Sequence, residues 1–143
     1  MDENNLEVLL PEITLNLQGR EVTVREYSFV QGMRVDALAK SIYDGLERLF
    51  LSGDPLRDSD KAELILDELQ SVWGADPELM TRLLAMSTGE PEAWIDSLPD
   101  LAGQTLLMSW WTVNRHFFVR RLAKRMAARR ARERLTGERS SPA

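Results

Sequence analysis

Very few side chains in this sequence could carry chemistry. His116 is the only histidine and there is no cysteine, so a histidine-pair or thiolate metal site has no ligands. A Ser-His-Asp arrangement would rest on this one imidazole. It lies between Arg115 and Phe117 in a strongly helical stretch, where a position on a helix surface accounts for it without catalysis. Neither GxxxxGK(S/T) nor GxGxxG occurs in the sequence, so the common phosphate cradles have no support. Asp58, Asp60, Glu63 and Asp67 could share a helix face and hold a divalent ion, but carboxylates in a first turn also serve as caps and complement the dipole. The inventory predicts a binding protein, with no catalytic residue, no metal and no cofactor.

Two other groups of residues are suited to contact. Trp110-Trp111 and Phe117-Phe118 form aromatic doublets two helical turns apart. Neighbours on a helix point about 100° apart, so the doublets draw two apolar stripes down one helix. Either that helix is central and buried on both sides, or one stripe is an exposed patch for a partner. Trp110 and Phe117 are assigned to the core, and Trp111 with Phe118 to the partner face. Basic residues follow directly. Arg121, Lys124, Arg125, Arg129 and Arg132 lie near one helix face and are read as a charged extension of the partner-binding stripe. A nucleic-acid contact would have the charge but few stacking aromatics, and an acidic body would repel phosphate. A membrane-surface helix would need an apolar face larger than Ala127, Ala128 and Ala131 can supply.

These residues need a scaffold, and periodicity outlines one. Apolar residues alternate in Glu12–Leu17 and again in Arg20–Arg25, which predicts a β-hairpin. A two-residue loop at Gln18-Gly19 pairs Leu15 with Val22 and Ile13 with Val24, all on one face. Ser28 and Gln31 have capping-box spacing and open a helix predicted to run to about Leu51, with Val35, Leu38, Ile42, Leu46, Leu49 and Phe50 on its apolar side. Ser52-Gly53-Asp54-Pro55 reads as a loop. A helix from near Asp58 to Gly74 carries Leu64, Ile65, Leu69, Val72 and Trp73. The next opens at Asp76-Pro77-Glu78, carries Leu79, Leu83, Leu84 and Met86 and ends at Gly89. A short helix over Pro91–Leu98 contributes Trp94 and Ile95. Ser97 with Asp100 suggests a second capping box, opening the longest helix, which runs to about Leu135. Ser140–Ala143 reads as a loose tail. The expected fold is mainly α (α+β): an N-terminal hairpin packed on four to five helices, with a long C-terminal helix and a basic end. Residues 1–126 form one globular domain, and residues 127–143 a basic helical arm and tail.

The charge is unevenly distributed along the chain. The net charge of −5 over 143 residues combines −13 in residues 1–114 with +8 in residues 115–143, an asymmetry that often marks an interaction segment. The acidic opening Met1-Asp2-Glu3-Asn4-Asn5 is the opposite of a secretory leader. The apolar-rich run Leu101–Val113 is too short and too polar to span a bilayer. Both predict a cytoplasmic protein that does not engage a membrane.

Two stretches and the overall layout resemble the tail assembly chaperones of long-tailed bacteriophages. One stretch is Glu12-Ile13-Thr14-Leu15-Asn16-Leu17-Gln18-Gly19-Arg20-Glu21-Val22-Thr23-Val24-Arg25-Glu26-Tyr27-Ser28-Phe29. The other is Glu92-Ala93-Trp94-Ile95 followed by Leu106-Leu107-Met108-Ser109-Trp110-Trp111-Thr112-Val113-Asn114-Arg115-His116-Phe117-Phe118 and a basic helical end. The resemblance implies a non-enzymatic role in the host cytoplasm. The chaperone would hold the helical, aggregation-prone tape-measure protein soluble while tail-tube subunits polymerise around it, and would be absent from the mature virion. The tape-measure protein is the implied partner, the tail tube protein a further one, and self-association into a homo-oligomer is compatible. Two alternatives stand beside it: a small regulatory or nucleic-acid-binding protein using the basic C-terminal arm, and a phage-encoded inhibitor of a host protein.

Overall fold

A computed structural model describes residues 11–51 and 62–140. Two strands, β1 (Glu12–Leu17) and β2 (Arg20–Arg25), form an antiparallel hairpin in which Leu15 faces Val22 and Ile13 faces Val24. This is the register that alternation demands, because a one-residue slip would turn the apolar set to solvent. Leu17, Val22 and Val24 are buried and Ile13 and Leu15 half-buried. Both turn residues take positive φ, Gln18 at 53° and Gly19 at 76°, the left-handed pair of a type I′ turn. Glycine adopts this conformation freely, whereas glutamine is strained there. Gln18→Asn is therefore expected to raise stability by about 0.5 kcal/mol, read as a higher urea midpoint with an unchanged slope.

Among the described residues six helices follow: α1 (Phe29–Leu38), α2 (Lys40–Leu51), α3 (Ala62–Gly74), α4 (Pro77–Thr88), α5 (Glu92–Asp96) and α6 (Asp100–Ser140). Several of their ends are written locally. Ser28 and Gln31 form the reciprocal capping box, each side chain accepting the other's backbone N–H. Asp76 caps α4 through the Leu79 N–H ahead of Pro77, and Gly89 closes it at φ 75°. In both places a side chain or a left-handed residue satisfies groups the helix leaves unpaired.

Three expectations about helix boundaries need correction. The helix expected from Ser28 to Leu51 breaks at Ala39 (φ −103°, ψ 31°), although the Ala39 N–H still donates to Val35 and the Ala39 carbonyl accepts from Tyr43. No glycine or proline marks the break. On either side of it the two helices meet α6 separately: α1 packs Gly32 against Phe117 and Arg121, and α2 packs Tyr43 against Phe118. The second capping box does not form. Ser97 sits in helical backbone at the end of α5 and its hydroxyl donates to the Trp94 carbonyl, so it closes one helix and does not open the next. The last helix runs on past Leu135 to Ser140. The predicted loop at Ser52–Pro55, the helix start near Asp58, the side chains of Phe50, Leu64 and Ile65, and the tail beyond Ser140 lie outside the described residues.

α6 is the axis of the fold. At 41 residues it is about 60 Å long, and its first half runs through the middle of the molecule. The hairpin and α4 cover one side and α2 and α3 the other, so a single core joins Val22, Val24, Tyr27, Ile42, Leu46, Trp73, Leu83, Leu106 and the aromatic doublets. The hairpin is also fixed at its turn end, where Arg20 lies over the Trp94 ring and pairs with Glu90 at 2.6 Å. From Ala127 to Gly137 every residue is exposed. No helix among the described residues is long and apolar enough to cross a membrane.

Candidate protein-docking surface

The doublets do not provide the exposed stripe expected of them. Trp110 (0% exposed) and Phe117 (2%) are core, as assigned, but Trp111 (5%) and Phe118 (0%) are sealed inside as well. Assigning Trp111 and Phe118 to a partner face is therefore incorrect. The Trp73 ring of α3 sits 5.4 Å from Trp111, and the Tyr43 ring of α2 sits 5.8 Å from Phe118. Trp111 and Phe118 stack on one another at 6.1 Å, and Tyr27 meets Phe117 edge-on at 5.1 Å on the far side. A helix flanked on both sides can bury residues 100° apart, because each stripe meets a different neighbour.

The basic residues divide into two groups. Arg121 donates to Asp36 at 2.8 Å and lies over the Phe117 ring at 3.7 Å. Arg125 pairs with Asp44 and reaches Glu47, while Arg129 sits 2.6 Å from Glu47. Glu47 is buried, a carboxylate enclosed between two guanidinium groups, as burial of a charge requires. Arg121, Arg125 and Arg129 thus clamp α6 to α1 and α2 and are not the free charged extension expected of them. Hydrogen bonds from Lys40 and then Arg125 hold the Asp44 carboxyl below its usual range. Lys124 and Arg132, the other two residues assigned to partner binding, are exposed and form no ion pair among the described residues.

Behind the clamp lies a buried polar network that sequence reasoning missed. Asn114, fully buried, accepts the Tyr27 backbone N–H at 3.2 Å and donates to Ser87 Oγ at 3.3 Å and to the Trp110 carbonyl at 3.2 Å. Ser87 donates to the Arg25 carbonyl at 2.6 Å. The Tyr27 hydroxyl donates to the Leu83 carbonyl at 2.6 Å and accepts from the Trp110 indole at 2.8 Å. Burial pushes the Tyr27 phenol well up, with the Trp110 hydrogen bond pulling the other way. Tyr43 is raised too, by burial and by its 2.6 Å hydrogen bond to Asp36. Both stay neutral and donate, which suits a structural network with no proton to exchange. His116 is exposed on α6. No cluster of carboxylates and histidine capable of holding a metal ion occurs among the described residues. Of the proposed carboxylate group, Asp58, Asp60 and the Glu63 side chain lie outside them, and Asp67 is exposed.

The exposed apolar surface is elsewhere, on α1. Phe29 (78% exposed), Val30 (49%), Met33 (50%) and Leu38 are four of the six large hydrophobic residues exposed among the described residues, and all lie within ten positions. Gly32, Val35 and Ala39 face inward, so α1 is apolar on both sides. That pattern gave no periodic signal of an outward patch, because the inward and outward residues together make an evenly hydrophobic helix. Scattered exposed hydrophobics are ordinary; a cluster on one short helix makes that face the candidate docking surface.

No curated protein and no solved structure matches the chain. The match that is found is to a family model described as "Family of unknown function (DUF6631)", over residues 5–143, and with nearly its whole length covered the chain belongs to that family.

Proposed function

We propose that this protein is a non-enzymatic binding protein whose docking surface is the outward face of α1, acting as a tail assembly chaperone that keeps a tape-measure protein soluble. The observation that supports a binding role is the cluster Phe29, Val30, Met33 and Leu38, held in solvent by a helix whose other side is anchored in the core. The tape-measure client follows from the family resemblance of the sequence, and the physics agrees with it. A long helical client exposes apolar stripes that aggregate, and a chaperone needs a modest apolar surface set in a charged, soluble body. The alternative of nucleic-acid binding by the basic arm is weakened because Arg121, Arg125 and Arg129 are already neutralised within the fold.

Co-expression with the tape-measure protein encoded in the same genome tests this reading. The wild-type chain is expected to move the client from the insoluble to the soluble fraction. The double variant Phe29→Ser, Met33→Ser is expected to fold normally and lose about 2 kcal/mol or more of client affinity. A soluble yield of client that does not depend on this chain, or that the double variant supports equally, would overturn the proposal.

A further inference from the structure

The stripe on α1 does not end in open solvent. Phe29, Met33 and Ala37 are spaced by four, so they form one slowly winding row about 12 Å long. Ala37 also lines an open groove of about 510 Å³ between the α1–α2 junction and α6, together with Lys40, Tyr43, Arg121, Lys124 and Ala128. The walls of the groove combine apolar and cationic surface. Its positive charge exceeds its negative charge: Asp36 is taken up by Arg121 and Tyr43, and Asp44 is shared by Lys40 and Arg125. Lys124 has no ion-pair partner among the described residues, and Lys40 keeps most of its surface in water. On a body that is otherwise strongly acidic, an apolar row running into a cationic groove selects its occupant by charge.

We propose that the α1 row and this groove form one docking channel for an acidic amphipathic helix. Its apolar side lies on Phe29, Met33 and Ala37, and its carboxylates meet Lys40 and Lys124. This rests on the reading of the chain as a protein-binding adaptor and adds the chemistry of the partner. A nucleic acid would use the cations but leave the Phe29–Met33 row idle; a second copy of this chain would present an acidic body but no free amphipathic helix among its described residues.

The test uses the full chain and two fluorescein-labelled synthetic helices of about 20 residues. One has leucines on one face and glutamates elsewhere, and the other has every glutamate replaced by lysine. By anisotropy the acidic peptide is expected to bind about tenfold more tightly than the basic one. Met33→Glu is expected to weaken it by about tenfold or more. Lys40→Glu with Lys124→Glu should bring the two peptides to near-equal affinity, with only a small fall in the melting temperature from the lost Lys40–Asp44 pair. Equal binding of both peptides by the wild type, still sensitive to Met33→Glu, would overturn the charge selection and leave the adaptor reading standing. Binding of neither peptide would overturn the channel and the α1 docking surface together. Displacement of the acidic peptide by a single-stranded oligonucleotide, or a dimer in sedimentation that Met33→Glu dissolves, would also overturn the proposal by identifying a different occupant.

Discussion

Trp110→Ala is expected to lower stability by about 3–5 kcal/mol, a drop in Tm of roughly 10–20 °C for a domain of this size. The ring is fully buried and lies 5.8 Å from Trp73 and 5.4 Å from Phe118, both edge-on. Removing it opens a cavity at the junction of α3, α4 and α6, and the close-packed aromatic neighbours cannot collapse into the space without leaving their own contacts. The Tyr27 hydroxyl also loses the indole N–H it accepts, a further cost for a buried polar group. Trp111→Ala is expected to cost nearly as much, because its ring is 5% exposed and stacked among Trp73, Trp110 and Phe118. Thermal unfolding followed by circular dichroism separates the possibilities. A Trp111→Ala variant that melts with the wild type while losing partner binding would return the docking face to α6 and refute the burial described above.

The second large effect is expected at Asn114. Leucine has the same branched skeleton with two methyl groups in place of the amide oxygen and nitrogen, so Asn114→Leu removes the polarity while keeping the shape, at the cost of some added bulk. The substitution leaves the Tyr27 N–H without its acceptor and takes away the donor to Ser87 Oγ, while the Trp110 carbonyl keeps its helical partner, the backbone N–H of residue 114. Each group stranded in a dry interior costs about 1–3 kcal/mol, and neighbours in one network do not add independently. A net loss of about 3 kcal/mol is expected. Asn114→Ala should leave room for water to replace part of the amide and is therefore expected to be less harmful than leucine, even though it removes more packing. Hydrogen exchange at the Tyr27 amide gives a local readout. If leucine proves as stable as wild type, the network contributes little and the α6–hairpin joint is held by apolar packing alone.

Two kinds of information specify this molecule, and they differ in reach. The hairpin register, the capping box at Ser28 and Gln31, the Asp76 cap and the Gly89 stop were all legible from residues, because each depends on partners a few positions away. A two-residue period, a hydroxyl three residues from an amide and a left-handed glycine act over one turn or one strand pair, whatever the rest of the chain does. The doublets at Trp110-Trp111 and Phe117-Phe118 declared a helix apolar on two stripes, but not how many neighbours would cover it. That was decided when α2 and α3 closed over Trp111 and Phe118, through contacts between residues tens of positions apart. The same holds for the basic residues: charge says that Arg121, Arg125 and Arg129 seek carboxylates, while only the approach of α1 and α2 to α6 assigns them to Asp36, Asp44 and Glu47. The break at Ala39 has no local cause, and the Asn114 network joins groups 27 and 87 positions away. The outward row on α1 was hidden because its helix is apolar on both sides, so its exposure follows from which side the core takes: Gly32 lets α1 approach Phe117 and Arg121 closely, and Phe29 and Met33 are left facing water.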